Sequence, residues 1–142
     1  GIFLRRVAVE GYADKLIQSR IDNAQKYNEL LAPLDFFNLP VCRDNVKNVY
    51  WMYGITIKDT SKISKEDFMT QLKEKGVDTR SFFYPVSMQN SYKNLVDSEL
   101  ICDAPVAKRL YESGFYLPSG SSLTDEQIET VVDKIKEVID EL

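Results

Sequence analysis

Gly76-Val77-Asp78-Thr79-Arg80-Ser81-Phe82-Phe83-Tyr84-Pro85 reads as a helix stop, an extended run and a second stop. Gly76 closes one element, and Pro85 ends the run that follows it. Side chains alternate along a strand, so three adjacent aromatics cannot all enter one core. Alternation puts Arg80, Phe82 and Tyr84 on one face, with Ser81 and Phe83 on the other. An arginine aligned with aromatics near a strand end suits an anion held against a flat ring. The plainer alternative is a buried strand carrying one exposed charge.

Upstream of this run, Ser64 opens a helix over 65–75. Asp67 stands where a capping box has Glu or Gln, and Phe68, Met69 and Leu72 form the buried side. Residues 48–57 read as a central strand, with Val49, Trp51, Tyr53, Ile55 and Ile57 on one face. Further back, Ala13, Leu16, Ile17, Ile21, Ala24, Tyr27 and Leu31 recur at helical spacing, predicting a long helix over 12–32 stopped by Pro33. Its apolar length exceeds what short strands can cover. It packs along the edge, or on something outside this chain.

Downstream, residues 86–102 are polar and loop-like, with a helical turn near Asn90–Leu95. Asp103 and Pro105 start a helix that Gly114 ends. Phe115–Leu117 is a short strand stopped by Pro118. Thr124 and Gln127 form a capping box for a final helix whose stripe is Ile128, Val131, Val132, Ile135, Val138 and Ile139. The order predicts a two-layer α/β sandwich, with a small, mostly antiparallel three-stranded sheet and about four helices. The division expected is 1–34, an N-terminal segment and long linking helix, and 35–142, a small α/β domain.

The chain has 142 residues, 44% of them hydrophobic and 28% charged, which suits a single globular unit. A net charge of −4 argues against a nucleic-acid backbone as partner. No apolar run is long enough for a membrane span, and no signal peptide is recognisable. With no histidine, a zinc site or a catalytic histidine is not expected, so no metal is assigned. Cys42 and Cys102 are read as reduced, in a cytoplasmic protein, with a single disulfide between them as the alternative. The opening Gly1 suggests a piece of a longer protein. The glycines are scattered and form no phosphate loop. Acidic pairs Glu66/Asp67 and Asp125/Glu126 lie in first helical turns, where the helix dipole accounts for them.

Four segments carry a family resemblance. Arg20, Ala24 and Tyr27-Asn28-Glu29-Leu30-Leu31 lie in the long helix. Asn48-Val49-Tyr50-Trp51-Met52 is the second, and Lys75-Gly76 through Tyr84-Pro85 the third and sharpest. Leu117-Pro118-Ser119-Gly120 followed by Leu123-Thr124-Asp125-Glu126-Gln127-Ile128 is the fourth. In this order and spacing the chain resembles the C-terminal part of the DegT-type sugar-nucleotide aminotransferases, perosamine-synthase-like members above all. The resemblance implies the aspartate-aminotransferase fold and a parent enzyme that uses pyridoxal phosphate and glutamate to aminate a keto-sugar nucleotide. It implies substrate-binding residues at Arg80, Phe82, Phe83 and Tyr84, and a homodimer.

The resemblance also implies a large N-terminal domain, absent here, that carries the Schiff-base lysine and the other groups touching the cofactor. This chain alone is therefore expected to be inactive, with no catalytic residue and no bound cofactor. The family's asparagine-bearing segment that reaches the neighbouring subunit falls upstream of Gly1. Ile2, Phe3, Leu4, Val7 and Val9 are then expected to be disordered or covered by another copy. The runner-up reading is a non-catalytic α/β binding or interaction module from a diverged paralogue.

Overall fold

Ile2–Leu31 form α1 in the computed structural model, which describes residues 2–90 and 104–142, with side chains from Gly11 onward. At 30 residues the helix is about 45 Å long. Among the described side chains its apolar stripe is fully buried at Ala24, Tyr27 and Leu31, toward the C-terminal end. Ala13, Leu16 and Ile17 stay partly exposed, so the surplus apolar length read from the sequence is real. Pro33 ends the helix in a single 3-10 turn, Ala32–Leu34. The side chains of residues 2–9, and the helical turn expected near Asn90–Leu95, lie outside what is described.

Among the described residues the remaining elements are β1 (Phe37–Asn38), β2 (Tyr53–Ile57), α2 (Lys65–Glu74), β3 (Arg80–Ser81), a 3-10 turn at Val86–Met88, α3 (Pro105–Ser113), β4 (Gly114–Leu117) and α4 (Asp125–Asp140). The sheet runs β1-β2-β4-β3, and every pair is antiparallel. The three predicted strands are present, joined by a fourth of two residues at Phe37–Asn38. That strand was illegible because Pro40 and mixed polarity surround it.

Tyr53, Ile55, Ile57, Phe115 and Leu117 form the buried face. α1 packs along α4, and α2 packs against α4. Phe37 and Phe68 meet Phe115 edge-on or tilted, at 6.2 and 5.7 Å between ring centres.

Two predicted strands are shorter than expected. β2 starts at Tyr53 rather than residue 48, because Tyr50 takes a left-handed φ of 45°. That twist throws Trp51 out to 67% exposure instead of leaving it on the Tyr53 face. β3 is only Arg80–Ser81, although the Phe82 N–H still donates to the Gly114 carbonyl at 3.2 Å.

α1 begins at Ile2, ten residues before the start expected at residue 12, so the stretch ahead of it continues the helix. The ends of the other described helices follow the sequence more closely. Gly76, at φ 87°, closes α2. Its N–H donates to Lys73, and the Val77 N–H reaches back to Leu72, the double bond of a left-handed glycine stop. The Thr124/Gln127 box is complete, with both reciprocal bonds made. At Ser64 only half of it forms: the hydroxyl accepts from the Asp67 N–H and donates to the Asp67 carboxylate. Aspartate is one methylene short of reaching the cap N–H. The first residue of α3 follows Ala104, whose side chain caps nothing; the Asp103 expected there lies outside the described residues.

Tyr27 and Tyr53 stack at 4.8 Å deep in the core. Burial pushes both phenols well above their ordinary value of 10.0. An unfolded chain ionises them near pH 10, while the folded chain resists. The contribution of these two phenols is thus fully present below about pH 10 and is lost as the pH rises beyond it. Urea midpoints are expected to drop between about pH 8 and about pH 11, and the drop to be smaller in Tyr27→Phe.

Candidate functional site

Register decides what Arg80 faces. Arg80 lies opposite Tyr116 and Ser81 opposite Phe115 across the β3–β4 pair. Phe115 is core, so Ser81 turns toward the helices and Arg80 toward the open face. Phe82 shares that open face and packs on Tyr116 at 4.5 Å between ring centres. Phe83, 70% exposed, approaches the same ring edge-on at 6.2 Å. Tyr84 leaves the group and meets Tyr111 of α3 edge-on at 5.1 Å. Of the four residues singled out from the sequence, three gather around Tyr116. Tyr84 does not, and Phe83 reaches the Tyr116 side instead of the Ser81 face expected for it, because β3 ends at Ser81 and the alternation ends with it.

Phe82 is seated rather than free. A β-carbon on Gly54 would lie 2.9 Å from its ring, and one on Gly114 2.4 Å from it. The two glycines, on β2 and β4, leave the flat depression that the ring fills. Phe82 therefore anchors the segment across the sheet and fixes where Arg80 and Phe83 emerge.

Arg80 opens onto a cleft of about 560 Å³ whose walls include Arg20, Trp51, Asp78, Tyr116, Ser119 and Gly120. The far wall is built by α1. Tyr27 Oη donates to the Pro118 carbonyl at 2.9 Å, Arg20 Nη1 to Ser119 at 3.2 Å, Asn23 Nδ2 to Gly120 at 3.0 Å and Ser19 Oγ to Ser121 at 2.7 Å. Four successive carbonyls are thus held by one helix face. Arg20 Nη1 also donates to the Trp51 carbonyl at 2.5 Å, tying the second segment to the fourth. The guanidinium of Arg20 is committed to backbone oxygens. Arg80 is exposed on this cleft and, among the described residues, makes no hydrogen bond or ion pair.

Sequence reasoning quoted Arg20, Trp51, Ser119 and Gly120 as parts of motifs without assigning them to the site. Their signal was present: each lies in one of the segments that carry the family resemblance. Lys65 was missed altogether. It is 1% exposed beneath β3, and its spacing from Phe68 and Leu72 already placed it on the buried stripe of α2.

Among the described residues no cluster of three metal-ligating side chains occurs, and no helix is long and apolar enough to cross a membrane. Cys42 is exposed and unbridged.

The sequence pattern of the DegT/DnrJ/EryC1/StrS aminotransferase family matches residues 11–136. GDP-perosamine synthase of Vibrio cholerae is 26% identical over 123 residues, 87% of this chain and 32% of that protein. GDP-perosamine synthase of Escherichia coli O157:H7 is 32% identical over 93 residues, 66% of this chain and 24% of that protein. The chain therefore spans about a third, or less, of these curated relatives.

Among solved structures, DesV of S. venezuelae, in complex with a ketimine intermediate, superposes with a TM-score of 0.78 at 22% identity, covering 93% of this chain and 34% of DesV. A Streptococcus pneumoniae protein in its PLP form gives 0.79 at 20% identity, over 95% of this chain and 34% of that one. These likenesses speak for the fold, and the sequence match speaks for descent. The chain belongs to the DegT/DnrJ/EryC1/StrS aminotransferase family.

Proposed function

We propose that this chain is the small domain of a pyridoxal-phosphate-dependent aminotransferase that transfers an amino group from glutamate to a keto-sugar nucleotide. Its part is to wall the active site and hold the substrate. The observation that carries the reading is Arg80: an exposed guanidinium without a described partner, standing on a cleft beside Tyr116 and Phe83. Such a group suits a phosphate or another anion, through charge-assisted hydrogen bonds. Phe82 holds the segment, Phe83 and Tyr116 offer ring surface, and Tyr84 braces the segment against α3.

The cofactor, when bound, supplies the electron sink for amino transfer. Lys65 does not fit the role of its covalent anchor. Lys65 is the only buried lysine among the described residues. Its amine is taken by Ser81 Oγ, the Tyr111 carbonyl and Glu66. The anchor and the groups around the cofactor then belong to a large domain outside this chain, and the chain alone has no catalytic residue. On this reading the whole enzyme works as a cytoplasmic homodimer, with Arg80 and Phe83 on its substrate wall and Phe82 and Tyr84 holding their segment in place.

The test titrates GDP, UDP and dTDP into the full-length protein, unaltered and as Arg80→Ala. One nucleotide is expected to bind, and Arg80→Ala to weaken it by about tenfold, the loss of one charge-assisted bond. Unchanged affinity in the variant, or no binding of any of the three, overturns the reading.

A further inference from the structure

Lys65 is an odd choice for its place. It is the first residue of α2, the end where the helix dipole disfavours a cation. It is also almost completely buried, where an ammonium is costly to desolvate. An apolar residue would fill the same stripe as Phe68 and Leu72 at lower cost.

What the amine touches suggests why it is there. Nζ donates to Ser81 Oγ at 2.8 Å and to the Tyr111 carbonyl at 2.6 Å. Glu66 Oε1 lies 3.2 Å away, and the Tyr111 ring centre 4.1 Å away. An ammonium has three N–H donors, and three acceptors surround this one.

One of those acceptors belongs to the strand that carries Arg80. β3 is only two residues long and lies at the sheet edge. So short a strand has little pairing to define its register, and a slip of one residue would exchange the faces of Arg80 and Ser81. We propose that Lys65 is the positioning residue for Arg80: by gripping Ser81 from the helix side, it holds the neighbouring arginine on the cleft side. Phe82, seated on Gly54 and Gly114, is the complementary restraint on the open face. Lys65 does not touch the cleft's ligand and acts only through β3.

This inference rests on the proposed role of Arg80, and the experiment separates the two. The dissociation constant of the tightest-binding nucleotide among GDP, UDP and dTDP is measured for four full-length proteins: unaltered, Arg80→Ala, Lys65→Met and the double variant. Lys65→Met is expected to weaken binding about fivefold on its own, and the double variant to bind no more weakly than Arg80→Ala alone. General damage to the fold would instead add to the loss from Arg80→Ala.

Unaltered affinity in Lys65→Met, or a full additive loss in the double variant, overturns the positioning role while leaving Arg80 in place. An Arg80→Ala protein that binds like the unaltered one overturns the earlier reading first. If Lys65→Met does not fold, Ser81→Ala removes the same grip from the strand side. Its loss of affinity is expected to disappear in the Arg80→Ala background, and persistence there overturns the proposal.

Discussion

Tyr27→Ala is expected to lower the stability of the chain by about 3–5 kcal/mol, and Tyr27→Phe by only about 1 kcal/mol. The ring is fully buried and stacked on Tyr53, so truncation opens a void that the surrounding helices and sheet fill only in part. The hydroxyl has a separate task. It donates to the Pro118 carbonyl, the first of the four that α1 holds. Phenylalanine keeps the stack and loses that bond, leaving Ser19, Arg20 and Asn23 to hold the rest of the turn. A domain of this size has about 5–15 kcal/mol in total, so the alanine variant stands close to unfolding. Urea denaturation of the purified proteins measures both. A loss below about 1 kcal/mol for Tyr27→Ala would mean that α1 is not part of the cooperative unit.

The legible parts of this fold are those governed by local chemistry. Gly76, Ser64, Thr124 with Gln127, and Pro33 set element ends through backbone geometry and near-neighbour bonds, and each end falls within a residue or two of its expected place. The stripe of α4 was legible because its period is local too.

Around β2 the departures from expectation involve a distant partner. Trp51 alternates correctly with Tyr53 in sequence, yet Tyr50 adopts a left-handed turn and Arg20, from another element, takes the Trp51 carbonyl. Phe37–Asn38 becomes a strand only because β2 is there to pair with it.

The site divides in the same way. Arg80 and its face could be read from alternation. The glycine seat beneath Phe82 could not, because Gly54 and Gly114 are far apart in sequence and meet only in the sheet. Lys65 was legible as a buried position but not as a partner of Ser81.

Gly114→Val is expected to cost about 3 kcal/mol, and the reason can be separated from that at Gly54. Neither glycine is needed for a left-handed backbone; Gly114 has φ −108°, which any residue adopts. The requirement is space. The atoms nearest a β-carbon at Gly54 belong to rings, Phe82 at 2.9 Å and Tyr116 at 3.2 Å. One at Gly114 would meet the Phe82 ring at 2.4 Å and also the Leu110 carbonyl oxygen at 2.5 Å. A ring can swing away, whereas a carbonyl inside α3 moves only if the helix moves.

Removing the ring therefore tests the two sites differently. In a Phe82→Ala background, Gly54→Ala is expected to lose most of its cost, while Gly114→Ala keeps at least about 1 kcal/mol of its own. Denaturation curves for the single and double variants measure this directly. Equal rescue at both positions would show that Phe82 alone dictates the glycines and that α3 yields freely. Rescue at neither would show that the ring does not occupy this seat, which would remove the anchor invoked for the Arg80 segment.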